Sequence, residues 1–483
     1  MISVLMISKP FRFIDRREEL AALEGAREGG RAGLYVVLGR RRVGKTELLS
    51  RFCQGKPSLI VFVREGEKGP QAASVSREIA QSLGDTSATR APPSDLDGMM
   101  ELVERFLGQP GRPVLVIDEF QNLVAGRREA LSAFQAAWDL RLQRGEGTLV
   151  LCGSAVGMIE DFVGSPRSPL YGRSTLRIEL RPLAFWNCST LLPERASQAR
   201  ILRFAVTGGV PHYLQALHGF RDLRSAIIGA VLSKGAPLYD EPAAMIRSET
   251  REPDRYFSIL EAIAGGAARP IDIADRSGLT PSELGPYLKV LTDSLRLVER
   301  RIPVTARRAG GKLGLYRLAD PFSRFWFSCV APRKSMLERG TRGPVADEAM
   351  ERLPTLAGPV LEDIVMDAMA ATHGTNWQGL RMDFTSIGSW WNRRGDEIDI
   401  VALGGREGAI AAEVTLGRRP VDRSEVDRLV AKLPLLPIKG PVRPALVTAG
   451  TFTSAARERA EEAGITAVDG RALAKVMARL AAP

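Results

Sequence analysis

The stretch VVLGRRRVGKTELL, residues 36–49, contains two glycines separated by four residues and followed directly by lysine and threonine. An apolar run leads into it and a helical pattern follows it. In this strand–loop–helix context, Gly39 and Gly44 let the backbone wrap around phosphates, and the first N–H groups of the helix bind the anion. Lys45 is placed to reach the β- and γ-phosphates, and the Thr46 hydroxyl is placed to bind Mg²⁺. The stretch therefore predicts a binding site for a nucleoside triphosphate.

A second motif, PVLVIDEFQ at residues 113–121, supports this interpretation. Asp118 ends an apolar strand, where its carboxylate would meet Mg²⁺ through water, and Glu119 is placed to orient or deprotonate the attacking water. Two solvated acids that cap a strand are the alternative. Both motifs together, in this order, favour ATP and Mg²⁺ as cofactors, with Lys45, Asp118 and Glu119 as catalytic residues.

Two further polar residues follow later strand patterns. Ser154 ends the apolar run GTLVLCGS and is a candidate sensor of the γ-phosphate. Arg173 lies on the next loop, in SPLYGRSTLRIELRPL, and is a candidate arginine finger. A surface arginine in an arginine-rich protein is the alternative for Arg173.

Apolar runs alternate with helical patterns between residues 33 and 220. Such near-continuous runs suit strands that are buried on both faces, so we expect an α/β fold with a parallel sheet covered by helices. The chain is long enough for several domains. We predict an ATPase domain with a helical lid at 1–220, a helical connector and winged helix-turn-helix at 221–330, and an α/β domain at 345–483, with APRKSMLERGTRGP as a linker.

Composition limits the partners and the compartment. The formal net charge of +11 favours a polyanion such as nucleic acid, although an arginine-rich solvated surface gives the same value. No apolar run approaches the ~18 residues that span a bilayer, and the N-terminus lacks the features of a signal peptide. The four cysteines form no CxxC pair. We therefore expect a cytoplasmic protein without a membrane anchor, zinc site or disulfide framework.

Several motifs together carry a resemblance to a known family. FIDRREEL, GRRRVGKTELL, VLVIDEFQ, CGSAVGMIED, PLYGRSTLRIELRPL and GGVPHYL resemble the prokaryotic, archaeal-type P-loop ATPases of the AAA+/STAND kind. LYRLADPFSRFWFSCV, WWNRRGDEIDIVAL and AAEV resemble the domain of unknown function that accompanies them. The resemblance implies ATP binding, ATP hydrolysis and a nuclease-like C-terminal fold. It also suggests that Ile14 and Arg16 pack near the adenine.

The last domain carries the acids of the PD-(D/E)xK nuclease pattern, which belongs to a restriction-endonuclease-like fold. Glu362 lies on a first helix, and Asp399 and Glu413 lie on what we expect to be adjacent strands, where they form a candidate second metal site. The resemblance implies a lysine at the position of Thr415, so this sequence departs from the pattern of the family. Lys432 is either a migrated substitute or a solvated helix lysine. Asp399 alternates with apolar neighbours, so an edge strand with one polar face is the alternative for that acid.

The expected winged helix lacks most of the side chains that usually contact DNA bases. Thr280 and Pro281 begin its third helix, on which the arginine, asparagine and glutamine residues that read bases are missing. Arginines cluster later instead, in RLVERR and at Arg307 and Arg308 in the wing, where they suit phosphate contact. Non-specific contact with nucleic acid and packing between domains both stay open.

Three functional hypotheses follow from these patterns. The first is an ATP-driven switch that acts on nucleic acid or is regulated by it, and it allows a homo-oligomer. The second is a non-catalytic regulator or scaffold that is held in one state by ATP. The third is an ATP-gated, metal-dependent DNA nuclease. ATP turnover separates the first two hypotheses, and DNA scission isolates the third.

Overall fold

The computed structural model describes the chain except for residues 1–12, 125–127, 158–163, 165–167, 195, 307–312, 406–407 and 482–483. It contains two compact units. The first comprises residues 1–182 and 293–295, and the second comprises residues 183–292 and 296–483. The domain boundaries predicted at residues 220, 330 and 345 stay predictions. Among the described helices, none is both long and apolar enough to cross a bilayer.

The first unit is built on a five-stranded parallel sheet, as the apolar runs predict. Its strand order is β2-β3-β4-β1-β5. The apolar side chains of the inner strands β1, β3 and β4 are buried, and separate core clusters use alternate residues of these strands. The strands are β1 (Gly33–Leu38), β2 (Ser58–Phe62), β3 (Val114–Asp118), β4 (Thr148–Gly153) and β5 (Leu176–Glu179).

Helices connect these strands. They are Arg17–Glu28, Lys45–Cys53, Lys68–Ser82, Thr86–Arg90, Leu96–Leu107, Gln121–Val124 and Arg128–Leu140, with a 3₁₀ turn at Leu142–Arg144. The segment LGDTSATRAPPSDLDG, which the sequence predicts to be a polar loop, contains the short helix Thr86–Arg90. That prediction is wrong because the Asp85 side chain accepts hydrogen bonds from the N–H groups of Ser87 and Ala88 and so caps the helix.

The second unit begins with helices. They are the 3₁₀ turn Phe185–Cys188, the helices Ser197–Thr207, Pro211–Leu217, Leu223–Ala226 and Glu241–Glu249, and the π-helical segment Ile227–Leu232. Gly208 ends one of these helices with a φ of 57°, a conformation that favours glycine. The TGGVPHYL motif is therefore a turn between two helices, where the Leu183 N–H donates to the Gly209 carbonyl.

Three helices and a hairpin follow, in the element order expected of a winged helix. The helices are Pro253–Ala264, Pro270–Ser277 and Pro281–Lys289, and the last continues into the π-helical segment Val290–Ser294. Thr280 caps the third helix in a capping box with Glu283, which confirms the predicted start. The hairpin strands β6 (Val298–Arg301) and β7 (Leu315–Leu318) pair antiparallel. Arg307 and Arg308 lie outside the described residues.

The predicted linker APRKSMLERGTRGP is largely helical. After the helix Pro321–Phe325 and the π-helical segment Trp326–Val330 come Ala331–Arg333 and Lys334–Glu338. Arg333 donates to Glu348 over 2.7 Å, and Lys334 donates to the Tyr239 carbonyl over 3.0 Å. The linker prediction was wrong because these polar side chains, which suggested solvent exposure, hold the segment in place.

The C-terminal part of the second unit contains a mixed sheet of order β10-β11-β12-β13-β14. The first three strands are antiparallel to one another, and the last three are parallel. The strands are β8 (Asn376–Trp377), β9 (Leu380–Arg381), β10 (Ser386–Trp391), β11 (Glu397–Gly405), β12 (Gly408–Thr415), β13 (Val442–Thr448) and β14 (Thr466–Val468). The helices are Gly343–Ala371, Arg423–Lys432, Ser454–Glu462 and Gly470–Leu480, with a 3₁₀ turn at Leu433–Leu435.

Candidate active sites

The glycines of the first motif shape a tight loop between β1 and the helix Lys45–Cys53. A Cβ atom on Gly39 would lie 2.6 Å from the Leu180 carbonyl oxygen, so only glycine fits there. Gly44 has a φ of 97° and forms the N-cap of the helix. The first N–H groups of the helix therefore lie directly after the glycine-rich loop, which is the arrangement that the sequence predicts for a phosphate site.

The functional side chains of the two motifs meet at this loop. The Thr46 hydroxyl donates to the Asp118 carboxylate over 2.8 Å. Lys45 is buried, and its Nζ donates to the carbonyl oxygens of Gly39 (2.7 Å) and Arg40 (3.2 Å). Two hard oxygen ligands thus stand side by side, with the Lys45 ammonium held on the same loop, which is a set of groups that suits a Mg²⁺–triphosphate.

Glu119 is held by polar neighbours beyond the end of β3. Its φ is 54°, a conformation that a non-glycine residue adopts only where the surroundings enforce it. The Ser154 hydroxyl donates to the Glu119 carboxylate over 2.8 Å, and the Gln121 amide donates to the same oxygen. The sequence analysis placed Ser154 near the γ-phosphate but did not foresee Gln121. The three side chains form one network, which fixes the direction of the carboxylate.

Arg16 lies under the phosphate loop. Its guanidinium donates to the carbonyls of Val43 (3.2 Å) and Arg181 (2.6 Å) and forms an ion pair with Glu19 (2.9 Å). The side chain is buried. Arg16 is therefore an anchor that ties the loop to the chain after β5, and the half-buried Ile14 precedes it. Adenine packing by these two residues stays a prediction.

Arg173 forms a two-pronged ion pair within its own unit. Its Nε and Nη2 atoms each lie 2.7 Å from an oxygen of Asp139. The two side chains are 27% and 36% exposed, so the guanidinium is accessible from solvent. The role of Arg173 as an arginine finger stays a prediction. To reach a nucleotide, Arg173 would have to give up its ion pair with Asp139.

Asp399 and Glu413 lie on adjacent strands, as predicted. Ile400 of β11 pairs with Ala412 of β12. Asp399 and Glu413 are the residues next to this pair, and they occupy opposite positions on the two antiparallel strands. The Val414 N–H donates to the Asp399 carboxylate over 2.7 Å. Strand β11 lies between β10 and β12, so the edge-strand alternative for Asp399 is wrong. Two like charges at such close cross-strand positions destabilise the sheet unless a cation compensates them.

Lys432 supplies such a cation. It ends the helix Arg423–Lys432, and its Nζ lies 2.7 Å from an oxygen of Glu413. The two side chains are 29% and 20% exposed, so the lysine is not the freely solvated residue of the alternative interpretation. Both residues line a cavity of about 230 Å³ together with Thr415. Lys432 thus points into the space that a lysine at position 415 would enter.

A second cavity, of about 260 Å³, adjoins the other two acids. Glu362 and Asp399 line it, together with Arg301 and Arg317 from the hairpin. Arg301 belongs to the arginine cluster RLVERR, in which the sequence predicts phosphate contact, but nothing in the sequence indicates that Arg301 and Arg317 lie beside these acids. Among the described residues, no group of three or more histidine, cysteine or acidic side chains has the arrangement of a metal site. Metal binding by Asp399, Glu413 and Glu362 therefore stays a prediction.

The acids of this site affect one another's protonation. Burial raises the pKa of Asp399 to about 8, and the charges of Glu413 and Glu362 add to the increase. Burial also raises the pKa of Glu413, which Lys432 opposes, and that of Glu362, which Arg301 and Arg317 oppose. Burial therefore disfavours the ionised form of all three acids, and Asp399 retains its proton at neutral pH.

A pH dependence of stability follows. An unfolded aspartate titrates near ~3.9, so between about pH 4 and pH 8 the folded chain retains a proton on Asp399 that the unfolded chain has lost. Stability conferred by this group is therefore present at low pH and is lost as the pH rises through that window. We expect Asp399→Asn to raise the unfolding midpoint at pH 8 by roughly 5 °C and to change it little at pH 4. Thermal unfolding at both pH values tests this, and an equal shift at both would contradict it.

Known protein families match the parts of the chain that contain these residues. Residues 13–217 match the family of ATPase domains that come predominantly from Archaea. Residues 380–477 match a family of restriction endonucleases, and residues 326–425 match a family of archaeal and bacterial proteins of unknown function. The chain joins an archaeal-type ATPase domain to a restriction-endonuclease-like domain. The acids Asp399 and Glu413 lie within the restriction-endonuclease match.

Relatives extend this similarity along the chain. An uncharacterised protein of Methanocaldococcus jannaschii is 29% identical over 81% of this chain and 84% of its own length. An uncharacterised ATP-binding protein of the same organism is 46% identical over 9% of this chain and 75% of its own length. The Walker-type ATPase of Pyrococcus abyssi superposes with a TM-score of 0.50 at 21% identity, over 65% of this chain and 96% of that one. This last likeness supports the fold alone.

Proposed function

We propose that the protein is an ATP-hydrolysing switch of the AAA+/STAND type, whose nucleotide state controls how its C-terminal domains engage nucleic acid. The observation that carries the proposal is the meeting of Thr46, Asp118 and Glu119 at the phosphate loop, with Thr46 and Asp118 2.8 Å apart. The net charge of +11 supports the polyanion as the partner.

The roles of the residues follow from their contacts. Lys45 would exchange the carbonyls of Gly39 and Arg40 for the oxygens of the β- and γ-phosphates. Thr46 and Asp118 would hold Mg²⁺, which neutralises the charge that develops on the phosphates. Glu119 would orient the attacking water, since Ser154 and Gln121 fix its carboxylate beyond the strand end.

Steady-state ATP turnover tests this proposal. We expect wild-type protein to hydrolyse ATP, and we expect Lys45→Ala to lose ATP affinity by about 2–5 kcal/mol, because a buried charge contact with phosphate is removed. Plasmid DNA should change the wild-type rate, and this effect should decline between ~50 and ~200 mM salt as phosphate contacts weaken. ATP binding without turnover would favour the non-catalytic regulator instead. Turnover that is insensitive to DNA would contradict the nucleic-acid part alone.

Arg173 tests whether the protein acts as a homo-oligomer. If it reaches a neighbouring nucleotide site as a finger, Arg173→Ala should lower turnover about 10³-fold. Asp139→Asn is the matched control, because it removes the ion-pair partner and keeps the arginine. We expect this control to retain turnover. Loss of stability by both variants, or a specific activity that is independent of protein concentration, would contradict the finger.

A second candidate function is metal-dependent cleavage of nucleic acid by the C-terminal domain. The specific observation in its favour is the 2.7 Å pair between Lys432 and Glu413 beside Asp399. These carboxylates are the oxygen ligands that Mg²⁺ or Mn²⁺ prefers, and they would hold the ion once Lys432 turned from Glu413 to the phosphate. The ion would activate water and stabilise the charge on the scissile phosphate.

A further inference from the structure

The hairpin of the three-helix segment lies against the restriction-endonuclease-like domain at the carboxylate site. We call the described residues 298–306 and 313–318 the hairpin. Arg301 on β6 and Arg317 on β7 line the same 260 Å³ cavity as Glu362 and Asp399. The hairpin therefore forms one wall of the space in front of these acids.

Hydrogen bonds between described residues attach the hairpin, and they involve both its backbone and its side chains. The Val304 N–H donates to the Ser389 carbonyl over 2.9 Å, and the Trp391 indole donates to the Leu313 carbonyl over 3.0 Å. Arg301 donates to the Ser389 hydroxyl. Arg317 donates to Asp363, next to Glu362, over 2.6 Å. Ser389 and Trp391 belong to β10, the neighbour of the strand that carries Asp399.

The charges at the contact explain its position. Arg301 and Arg317 line the same cavity as Glu362, so their positive charges lie beside the acid that a metal ion would otherwise neutralise. Arg317 is only 23% exposed and pairs with Glu299 as well as Asp363. Protein cations thus take the place of a metal ion while the hairpin is attached.

The size of the cavity determines what can reach the acids. A volume of about 260 Å³ is below that of pockets for drug-sized ligands, which begin at about 300 Å³. Double-stranded DNA has a major groove about 12 Å wide, so a duplex is far larger than this space. Glu362 and Asp399 are each partly buried, and the space in front of them is too small for a duplex while the hairpin stays attached.

We propose that the hairpin is an autoinhibitory cover, which blocks cation and nucleic-acid access to Glu362 and Asp399 through Arg301 and Arg317. This proposal rests on the second candidate function, because it concerns the regulation of that carboxylate site. Displacement of the hairpin exposes the acids, removes two competing cations from them and makes room for a strand of nucleic acid.

A reversible cross-link tests the cover without measuring cleavage. A Cβ atom on Gly388 would lie 3.3 Å from the Cβ of Val304, close to the ~3.5–4.5 Å of a disulfide. The variant Val304→Cys/Gly388→Cys should therefore lock the hairpin when oxidised and release it when reduced. Terbium(III), an oxygen-binding probe ion, should be sensitised by Trp390 and Trp391, which line the cavity.

We expect the oxidised, full-length double variant to bind terbium at least tenfold more weakly than the same protein after reduction. Val304→Cys alone should show no such difference, and Asp399→Asn should weaken binding in either state. Equal terbium affinity in the oxidised and reduced forms overturns the proposal, as does a lack of site-specific binding in both. If terbium affinity depends on the cross-link but neither the oxidised nor the reduced protein cleaves plasmid DNA, the cover is supported and the nuclease function is contradicted.

A second variant tests the arginines if the cross-linked protein does not fold. Arg301→Ala removes the bond to Ser389 and one cation from the cavity, so terbium affinity should rise at least threefold. Arg269→Ala is the matched control, because Arg269 is an exposed arginine on the same three-helix segment. Unchanged affinity in Arg301→Ala, or an equal rise in both variants, overturns the role of Arg301.

Discussion

Replacing Glu119 by glutamine is expected to lower ATP turnover about 10²- to 10⁴-fold, which is the contribution of a positioned general base. ATP affinity should stay within a few-fold of wild type. The substitution keeps the shape of the side chain, and the Ser154 hydroxyl, now 2.8 Å from the carboxylate, can still donate to the remaining amide oxygen. Single-turnover hydrolysis and equilibrium binding of ATP, measured on the same preparation, separate the two effects.

Two control variants sharpen this test. Ser154→Ala removes a hydrogen bond to Glu119 but retains the carboxylate, so we expect an intermediate loss of rate. Gln121→Ala removes the other donor from the same network. If Glu119→Gln hydrolyses ATP at the wild-type rate, the assignment of the base is wrong. If Ser154→Ala is as inactive as Glu119→Gln, Ser154 contacts the phosphate itself, as the sequence suggested.

The ATPase site was predictable because its chemistry is local in sequence. Gly39, Gly44, Lys45 and Thr46 lie in one loop, and the loop geometry follows from the positions that only glycine tolerates. Asp118 is distant in sequence, but it ends an apolar run, and carboxyl ends of parallel strands meet at one edge of a sheet. The contacts of Arg16 that hold this loop were harder to predict from the sequence. Arg16 contacts Val43 and Arg181, and no spacing rule connects those three residues.

The carboxylate site was predictable only in part. Two apolar runs, EIDIVAL and AIAAEVTL, joined by a glycine-rich turn predict that the acids lie on adjacent strands, and the register of β11 and β12 agrees with this. The pattern gave no sign of Arg301 and Arg317, because they reach the acids through the packing of a hairpin. The linker prediction failed for a similar reason. Its polar composition suggested solvent, whereas Arg333 pairs with Glu348 and Lys334 donates to the Tyr239 carbonyl.

The largest effect in the C-terminal domain should come from Lys432. If the second candidate function is right, Lys432→Met should lower the scission of supercoiled plasmid with Mg²⁺ or Mn²⁺ about 10²- to 10³-fold, the typical cost of removing one stabilising charge from a reacting centre. Glu413→Ala should abolish scission, because it removes a metal ligand. Lys439→Met is the matched control, because this exposed lysine follows the same helix without lining the Glu413 cavity.

A relocated lysine makes the test of Lys432 more demanding. Thr415 lines the same 230 Å³ cavity as Glu413 and Lys432, so a lysine introduced at position 415 can occupy the space that Lys432 leaves. We expect the double variant Lys432→Met/Thr415→Lys to cleave plasmid at least tenfold faster than Lys432→Met. Its new lysine, on the strand instead of the helix, places a positive charge beside the same Glu413 carboxylate. Scission that survives both Lys432→Met and Glu413→Ala would come from a contaminant, and it would leave the domain a binding module. If Lys432→Met loses scission and the double variant does not recover it, a positive charge near Glu413 is not sufficient for cleavage. Lys432 would then act by holding the Glu413 side chain in place.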